Sequence, residues 1–473
     1  MNAMGMGEVY RLICIRSTAG DPPLEEVPRR QPGDTGPLLW EIPLWFAGFI
    51  TYCLALRPIL LEMPKISSPL VILSLTAIAS LCYSLHFGRL DHPLPYATPP
   101  AMSVPAKQYG QLSWTETLHL VATSISLPIV LPWSVATSAY ASHNKERSLK
   151  RITADCTLRY LVSHLSVAQI QAAFGTTLRT YELWSQWAKL PMTIDELGED
   201  ARLLWIGPKR LERVVLYIHG GGFCIGSAYY YMRFWRYVQL ELEKQNIEVG
   251  FALLNYSLAP QASFPTPLKQ AGLALDFLMA AGVKPQNLQL TGDSAGGNLI
   301  LQILSQMLHP LKGVPEIRLP APLRGVYLIS PWTNLHADSK SHTENEGIDF
   351  VSQRLLADMG TCILEGVPEA DRAFADAVRA PEGWYKGLDA LVERVLVTAG
   401  GAELLRDDIV VVGETLKKHH ANTELVVQKD GLHEDMFLDF VLGEKKLGSL
   451  TPLTVEWLAA GFTKEPSVTR NVL

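Results

Sequence analysis

The sequence predicts an α/β fold in which a mostly parallel sheet is covered by helices on both faces. Three observations predict it. Short β-rich runs alternate with amphipathic helical patterns after residue 212, glycine-rich turns directly follow two of those runs, and the 473 residues are 48% hydrophobic but only 19% charged. Because this length exceeds the usual size of one hydrophobic core, we also expect accessory segments or a second domain.

The α/β pattern occupies residues 206–473, which we predict to be one domain. Helices are predicted between its strands, for example at Pro267–Ala281 and Gly297–Leu308, where apolar residues recur at three- and four-residue intervals. The predicted strands are Arg213–Ile218, Glu248–Leu254, Leu288–Thr291, Gly325–Ile329, Arg394–Thr398 and Thr423–Val427.

The N-terminal part divides into a polar tail over residues 1–36 and an apolar membrane-anchor region over residues 37–90. Ile66–Gly88 runs for 23 residues without Lys, Arg, Asp or Glu, and about 20 apolar residues suffice to span a bilayer. A buried core helix is the alternative interpretation. The shorter run Ile42–Leu56 could pair with it as a hairpin. The tail has no apolar stretch typical of a cleavable signal peptide, so we expect none at Met1.

Residues 91–205 are predicted to form a linker and a helical cap. The uncharged stretch Thr117–Asn144 contains Pro128 and Pro132, which remove helical hydrogen bonds. We therefore predict a surface-lying or cap segment there rather than a membrane span. From about Asp155 to Leu204, the spacing of apolar residues predicts helices.

Composition excludes several classes of protein. Lys and Arg total 41 against 47 Asp and Glu, a net charge of −6, and no basic cluster indicates a nucleic-acid partner. The six cysteines are widely spread without a CxxC pair, so neither a zinc ribbon nor a dense disulfide framework is expected. The oligomeric state does not follow from the sequence.

One glycine-bounded motif carries a candidate nucleophile. Gly292, Asp293, Ser294, Ala295 and Gly296 match the pattern G-x-S-x-G, directly after a predicted strand and before a predicted helix. That is the setting of a nucleophile elbow, where the two glycines leave room for a tight turn that raises the serine hydroxyl above the sheet edge. The alternative is a glycine-rich turn with a solvated serine.

A second glycine motif follows the predicted strand that ends at residue 218. His219 is followed by Gly220, Gly221 and Gly222, and such a run lets backbone N–H groups converge on one point. We predict an oxyanion hole formed by the N–H groups of Gly221, Gly222 and Ala295, with His219 as a structural hydrogen-bonding residue. A phosphate cradle is the alternative, but no Lys-Ser/Thr pair follows.

A serine nucleophile needs a base, and the base needs an orienting carboxylate. His433 follows the last predicted strand, where the order Ser, acid, His places the histidine of an α/β-hydrolase. Between Ser294 and His433, the loop after the preceding strand offers Glu403, Asp407 and Asp408. We favour Glu403, because it is nearest the strand end. Asp407 and Asp408 could instead be solvated acids at the start of a helix, where the helix dipole favours negative charge.

These motifs together resemble the hormone-sensitive-lipase family of α/β-hydrolases. The resemblance rests on HGGGF at 219–223, NYSLAP at 255–260, GDSAGGN at 292–298 and His433, and it covers about residues 213–437. It implies carboxylester hydrolysis by a serine triad of Ser294, Glu403 and His433, with a helical cap over the acyl pocket. This chemistry requires no metal or organic cofactor.

An apolar anchor ahead of such a domain resembles membrane-bound steryl acetyl hydrolases and arylacetamide deacetylases. That resemblance implies a small apolar ester as substrate, with an acetyl or other short acyl group, and a membrane-anchored protein of the endoplasmic reticulum. An acyltransferase with the same triad, a non-catalytic ligand-binding protein and a serine peptidase are the alternative functions.

The sequence departs from the family pattern at three places. Glu403 stands where the family usually has Asp, and its longer side chain can still reach the histidine. Glu434 and Asp435 stand where Gly-Phe is usual, and Gln261 replaces a common acid. The last two departures concern the polarity of the pocket and the pH dependence of the reaction.

Overall fold

A computed structural model describes residues 108–463. The predicted polar tail at 1–36 and the predicted anchor region at 37–90 lie outside the described residues. Within the described part, one sheet of eight strands organises the fold. Its strands are β1 Ile194–Gly198, β2 Ala201–Ile206, β3 Val214–Ile218, β4 Gly250–Asn255, β5 Leu288–Asp293, β6 Gly325–Ile329, β7 Val395–Gly400 and β8 Thr423–Gln428.

The strand order across the sheet is β1-β2-β4-β3-β5-β6-β7-β8. β2 pairs antiparallel with both β1 and β4, and all other neighbours are parallel. The carboxyl ends of parallel strands meet at one edge of a sheet, where α/β folds bind their ligands. Ile218 is in register with Gly292, so the loops after β3 and β5 leave that edge side by side. The predicted α/β fold is confirmed.

Helices cover both faces of the sheet. Every residue of the central strands β3, β5, β6 and β7 is buried, as expected for parallel strands with two covered faces. The helices are α1 Trp114–Ala139, α2 Leu149–His164, α3 Val167–Phe174, α4 Thr177–Ala188, α5 Tyr229–Lys244, α6 Thr266–Ala280, α7 Ser294–Leu308, α8 Lys340–Glu344, α9 Gln353–Leu364, α10 Arg372–Ala375, α11 Arg406–His419, α12 Asp435–Leu438 and α13 Leu450–Thr463.

The helical prediction for residues 155–204 is wrong at its C-terminal end. β1 and β2 form there, and β2 joins the main sheet beside β4. Short apolar runs do not separate strand from helix by periodicity, and here the pairing with β4 decides. The boundary placed between residues 205 and 206 therefore falls inside β2, and the sheet begins at Ile194.

The expectation that Pro128 and Pro132 interrupt the helix at residues 117–144 is also wrong. α1 continues through both prolines, and a capping box between Ser113 and Glu116 starts it. Within the described part of the chain, α1 is the one helix whose length and apolar composition would allow it to cross a membrane. Leu120 is among the few α1 residues that are buried.

Candidate active site

The turn between β5 and α7 places Ser294 in a strained backbone conformation. Its φ is 47°, a region that non-glycine residues rarely adopt and that is typical of a nucleophile elbow. A Cβ on Gly296 would lie 1.9 Å from the carbonyl oxygen of Ile218, so only glycine fits there. The turn therefore packs directly against the end of β3, and the predicted elbow has a physical basis in these contacts.

The loop after β3 is fixed by its histidine. The buried His219 ring stacks on Tyr256 at 4.6 Å between centroids, and its Nε2 lies 3.0 Å from Thr177 Oγ1. Burial lowers the pKa of His219 to about 4, although a hydrogen bond to the Gly220 carbonyl opposes the shift. A neutral, buried imidazole with a stacking partner and hydrogen bonds is suited to holding the loop in place.

The glycines of this loop adopt conformations that favour glycine and lie close to the elbow. Gly221 and Gly222 have φ values of 95° and 60°. The Gly220 N–H donates a 2.8 Å hydrogen bond to Asp293 Oδ2, which ties the loop to the residue before Ser294. A Cβ on Gly222 would lie 2.3 Å from the sulfur of Met359, so helix α9 covers the loop from above.

His433 and Glu403 form a buried pair. His433 Nδ1 lies 3.1 Å from Glu403 Oε2, and both side chains are almost inaccessible. Burial raises the pKa of Glu403, and its interactions with His433 oppose that rise. Asp407 instead accepts a hydrogen bond from the Ser341 N–H, and Asp408 accepts hydrogen bonds from other side chains. Of the three acids considered, the structure brings Glu403 to the histidine.

A further buried acid binds the backbone of His433 and of the residue after Glu403. Asp349 Oδ1 accepts the backbone N–H of His433 at 3.0 Å, and its Oδ2 accepts that of Leu404 at 2.9 Å. Burial raises the pKa of Asp349 to about 7, despite the opposing charge on His433. Sequence reasoning missed Asp349 because it lies in the long segment between β6 and β7, outside any motif.

The residues next to Ser294 and His433 in the sequence interact with each other. Asp293 precedes the serine, Glu434 follows the histidine, and their two side chains share a hydrogen bond. Glu434 Oε1 also lies 3.5 Å from His433 Nε2. Among the hydrogen bonds of residues 108–463, none joins the Ser294 hydroxyl to His433, so Nε2 faces Glu434 instead.

A buried ionic network fastens the segment after His433 to helix α2. Arg151 contacts Asp155 at 2.8 Å, Asp435 at 2.7 Å and Asp439 at 2.6 Å. Arg147 adds contacts to Asp155 and Asp435. The helical region ahead of the sheet thus reaches the loop that carries His433.

Residues 215–437 match the family model described as the alpha/beta hydrolase fold. The matched segment runs from β3 to α12 and includes the elbow, the glycine loop and His433. This segment has the alpha/beta-hydrolase fold. A crystal structure of an esterase from the bacterial hormone-sensitive lipase family has the same fold, with a TM-score of 0.51 and 24% identity over 67% of this chain and 99% of that chain.

Curated relatives match stretches of this chain. Arylacetamide deacetylase of Bos taurus is 32% identical over 31% of this chain and 37% of its own length. An acetyl-hydrolase of Streptomyces hygroscopicus is 29% identical over 43% of this chain and 62% of its own length. An esterase of Acinetobacter venetianus is 27% identical over 41% of this chain and 58% of its own length. The matches thus span less than two thirds of each of these relatives.

Proposed function

We propose that this protein hydrolyses carboxylic esters with Ser294 as nucleophile, His433 as base and Glu403 as the acid that orients the base. The observation that carries the proposal is the buried pair of His433 and Glu403, with a 3.1 Å contact, in a protein whose Ser294 has a φ of 47° on an elbow. Strain at a serine is retained where the surroundings enforce it, which is typical of a catalytic position.

The proposed reaction is a two-step acyl transfer. Ser294 Oγ attacks the ester carbonyl carbon while His433 Nε2 accepts the hydroxyl proton, and the tetrahedral intermediate expels the alcohol as Nε2 returns that proton. A water activated in the same way then releases the acid. Glu403 at Nδ1 keeps the tautomer that leaves Nε2 free to accept a proton, and it stabilises the imidazolium.

The oxyanion in this proposal is held by backbone N–H groups of Gly221, Gly222 and Ala295. Support comes from the loop conformation, from the bond between Gly220 and Asp293 that fixes the loop to the elbow, and from the position of Ala295 at the start of α7. Donors at a helix N-terminus also benefit from the helix dipole. Losing one such donor typically slows acyl transfer about 10²- to 10³-fold.

The proposed substrate is a small apolar ester with an acetyl or other short acyl group. The names of two relatives, an arylacetamide deacetylase and an acetyl-hydrolase, support the acyl group. The proposed apolar character of the substrate is supported by Met359 of α9, whose sulfur lies against Gly222 of the glycine loop.

The proposal includes attachment to a membrane. Leu118, Ile129 and Trp133 of α1 are 64%, 77% and 74% exposed, and their spacing places them on one face of the helix. An exposed apolar face of this kind suits a helix lying in the membrane interface. The anchor predicted at residues 37–90 precedes it in the chain, and the endoplasmic reticulum stays a prediction from the resemblance.

Turnover of p-nitrophenyl acetate and labelling by a fluorophosphonate test the proposal. Ser294→Ala should abolish both, while the matched control Ser142→Ala, at an exposed serine, should change neither. Labelling after membrane fractionation tests the attachment, with the labelled band expected in the membrane fraction. Unchanged turnover in Ser294→Ala would refute the assignment, and a new ester appearing only with an added alcohol would indicate an acyltransferase instead.

A further inference from the structure

The residue after His433 occupies an unusual backbone conformation for its type. Glu434 has a φ of 52°, in the left-handed region that glycine adopts freely and that costs other residues about 1 kcal/mol or more. Its carboxylate is only 4% exposed. Contacts must compensate for the strained backbone and for the burial of a carboxylate at this position. Those contacts lie at the candidate active site.

The two carboxylate oxygens of Glu434 have separate partners. Oε1 lies 3.5 Å from His433 Nε2, and Oε2 accepts a hydrogen bond from the Tyr231 hydroxyl. The carboxyl group of Asp293 also hydrogen-bonds to Glu434. Burial and the charge of Glu434 raise the pKa of Asp293 well above its usual range.

Three acids surround His433, and the ring of Phe350 packs against its imidazole at 5.8 Å between centroids. Glu403 faces Nδ1, Glu434 faces Nε2, and Asp349 accepts the backbone N–H. Burial alone would lower the pKa of His433, but the charge of Glu434 and the hydrogen bond and charge of Glu403 raise it to about 9. The titratable groups that face Glu434 from the remaining elements are Tyr217, Tyr230, Tyr231 and Asp293.

We propose that Glu434 is a positioning residue that holds the Nε2–H of a protonated His433 in the resting protein, away from Ser294. The inference rests on the proposed function, because it concerns the same imidazole. Turnover then requires one proton to leave Nε2 for solvent before Nε2 can accept the proton of the Ser294 hydroxyl. No covalent bond between heavy atoms changes in this step.

The consequence is an alkaline hydrolase. With a pKa of about 9 for His433, only about 1% of the imidazole is neutral at pH 7. The acidic limb of kcat/KM should therefore lie well above pH 7, whereas an unperturbed imidazole would place it near 6.5. The two glutamates differ in effect, because Glu403 fixes the tautomer that catalysis uses and Glu434 stabilises the form that catalysis cannot use.

The test is the pH profile of p-nitrophenyl acetate turnover and of the fluorophosphonate labelling rate for the wild type and Glu434→Gln. The amide keeps the size of the side chain and removes its charge. We expect the acidic limb to fall by at least about one pH unit, which raises kcat/KM at pH 7 about tenfold relative to the alkaline plateau. Glu456→Gln, at an exposed position on α13, is the matched control and should leave the profile unchanged.

Glu434→Gly is the second variant, because glycine suits the left-handed backbone and a folded protein is expected even if the amide is not tolerated. Its acidic limb should fall as well. An unchanged limb in a folded variant would overturn the inference, as would a wild-type limb below pH 7. If the wild type neither turns over the ester nor takes the label at any pH, the proposed function itself fails.

Discussion

Arg151 offers a sharp test of how the helical region supports the candidate active site. Its guanidinium is 4% exposed and contacts three carboxylates within 2.8 Å, two of which lie on or directly after α12. Arg151→Met keeps much of the side-chain volume but removes the charge. Because one partner of a buried ionic network is removed, uncompensated carboxylates remain inside the protein.

The size of the effect follows from what each carboxylate retains. Asp155 and Asp435 keep Arg147, at 3.0 and 2.7 Å, and Asp435 also keeps the Leu432 N–H. Asp439 loses its arginine and keeps the N–H of Gly448 at 2.8 Å. Breaking a buried pair costs about 3–5 kcal/mol, and the remaining contacts of Arg147 place the expected loss near the lower end, about 3 kcal/mol.

The pH dependence of this loss has a definite sign. Arg151 and Arg147 hold the pKa of Asp435 below its usual range against the effect of burial, so in the wild type this group contributes stability that is lost as the pH falls below about 4. In Arg151→Met, buried Asp439 has a pKa further above its unfolded value. Protonation then stabilises the folded state, and the deficit of the variant should shrink between pH 7 and pH 5.

Urea unfolding of the full chain, followed by tryptophan fluorescence at pH 7 and pH 5, measures the effect. Arg354→Met, which removes a half-exposed arginine from an i,i+4 pair, is the matched control and should cost less than about 1 kcal/mol. Adding Asp439→Asn to Arg151→Met should recover most of the loss, since both charges are then gone. A loss below about 1 kcal/mol in Arg151→Met, or a deficit that grows on acidification, would refute the reasoning.

Three further outcomes are expected. Glu403→Gln should lower kcat about 10³- to 10⁴-fold with little effect on KM, because the amide favours the wrong imidazole tautomer. Steady-state kinetics with p-nitrophenyl acetate measure this loss. A decrease in kcat of less than tenfold would exclude Glu403 as the orienting acid. Gly296→Ala should abolish fluorophosphonate labelling, because the alanine Cβ would lie 1.9 Å from the Ile218 carbonyl oxygen and the elbow would have to shift. Labelling of this variant at the wild-type rate would contradict the elbow geometry. Protonated His433 contributes stability that is fully present below about pH 6.5 and lost as the pH rises through about 9. The Tm of the wild type should therefore fall over that range more steeply than the Tm of His433→Gln, and parallel curves would speak against the raised pKa.

Much of the fold could be predicted because its determinants are local in sequence. The strand at Gly325–Ile329 has the predicted bounds, and the other five predicted strands differ from the structure by one or two residues at one or both ends. Apart from β8, these runs are buried almost throughout, so their apolar character appears without reference to a neighbour. β2 was missed because its pairing with β4 decides its conformation.

The candidate site divides in the same way. The sequence by itself determined the elbow around Ser294 and the glycine loop after His219, because tight turns require glycine at fixed offsets along the chain. It also favoured Glu403 over its neighbours from its distance to a strand end. These are properties of short segments, and the order of the segments along the chain connects them.

Only the tertiary structure decided the environment of the imidazole. Asp349 reaches the backbone of His433 across 84 residues, and Glu434 meets Asp293 and Tyr231 from two other elements. Contacts of this kind leave no periodic pattern in the sequence, because each involves a single side chain whose direction depends on how whole elements pack. The charge around His433 is therefore a property of the packed protein.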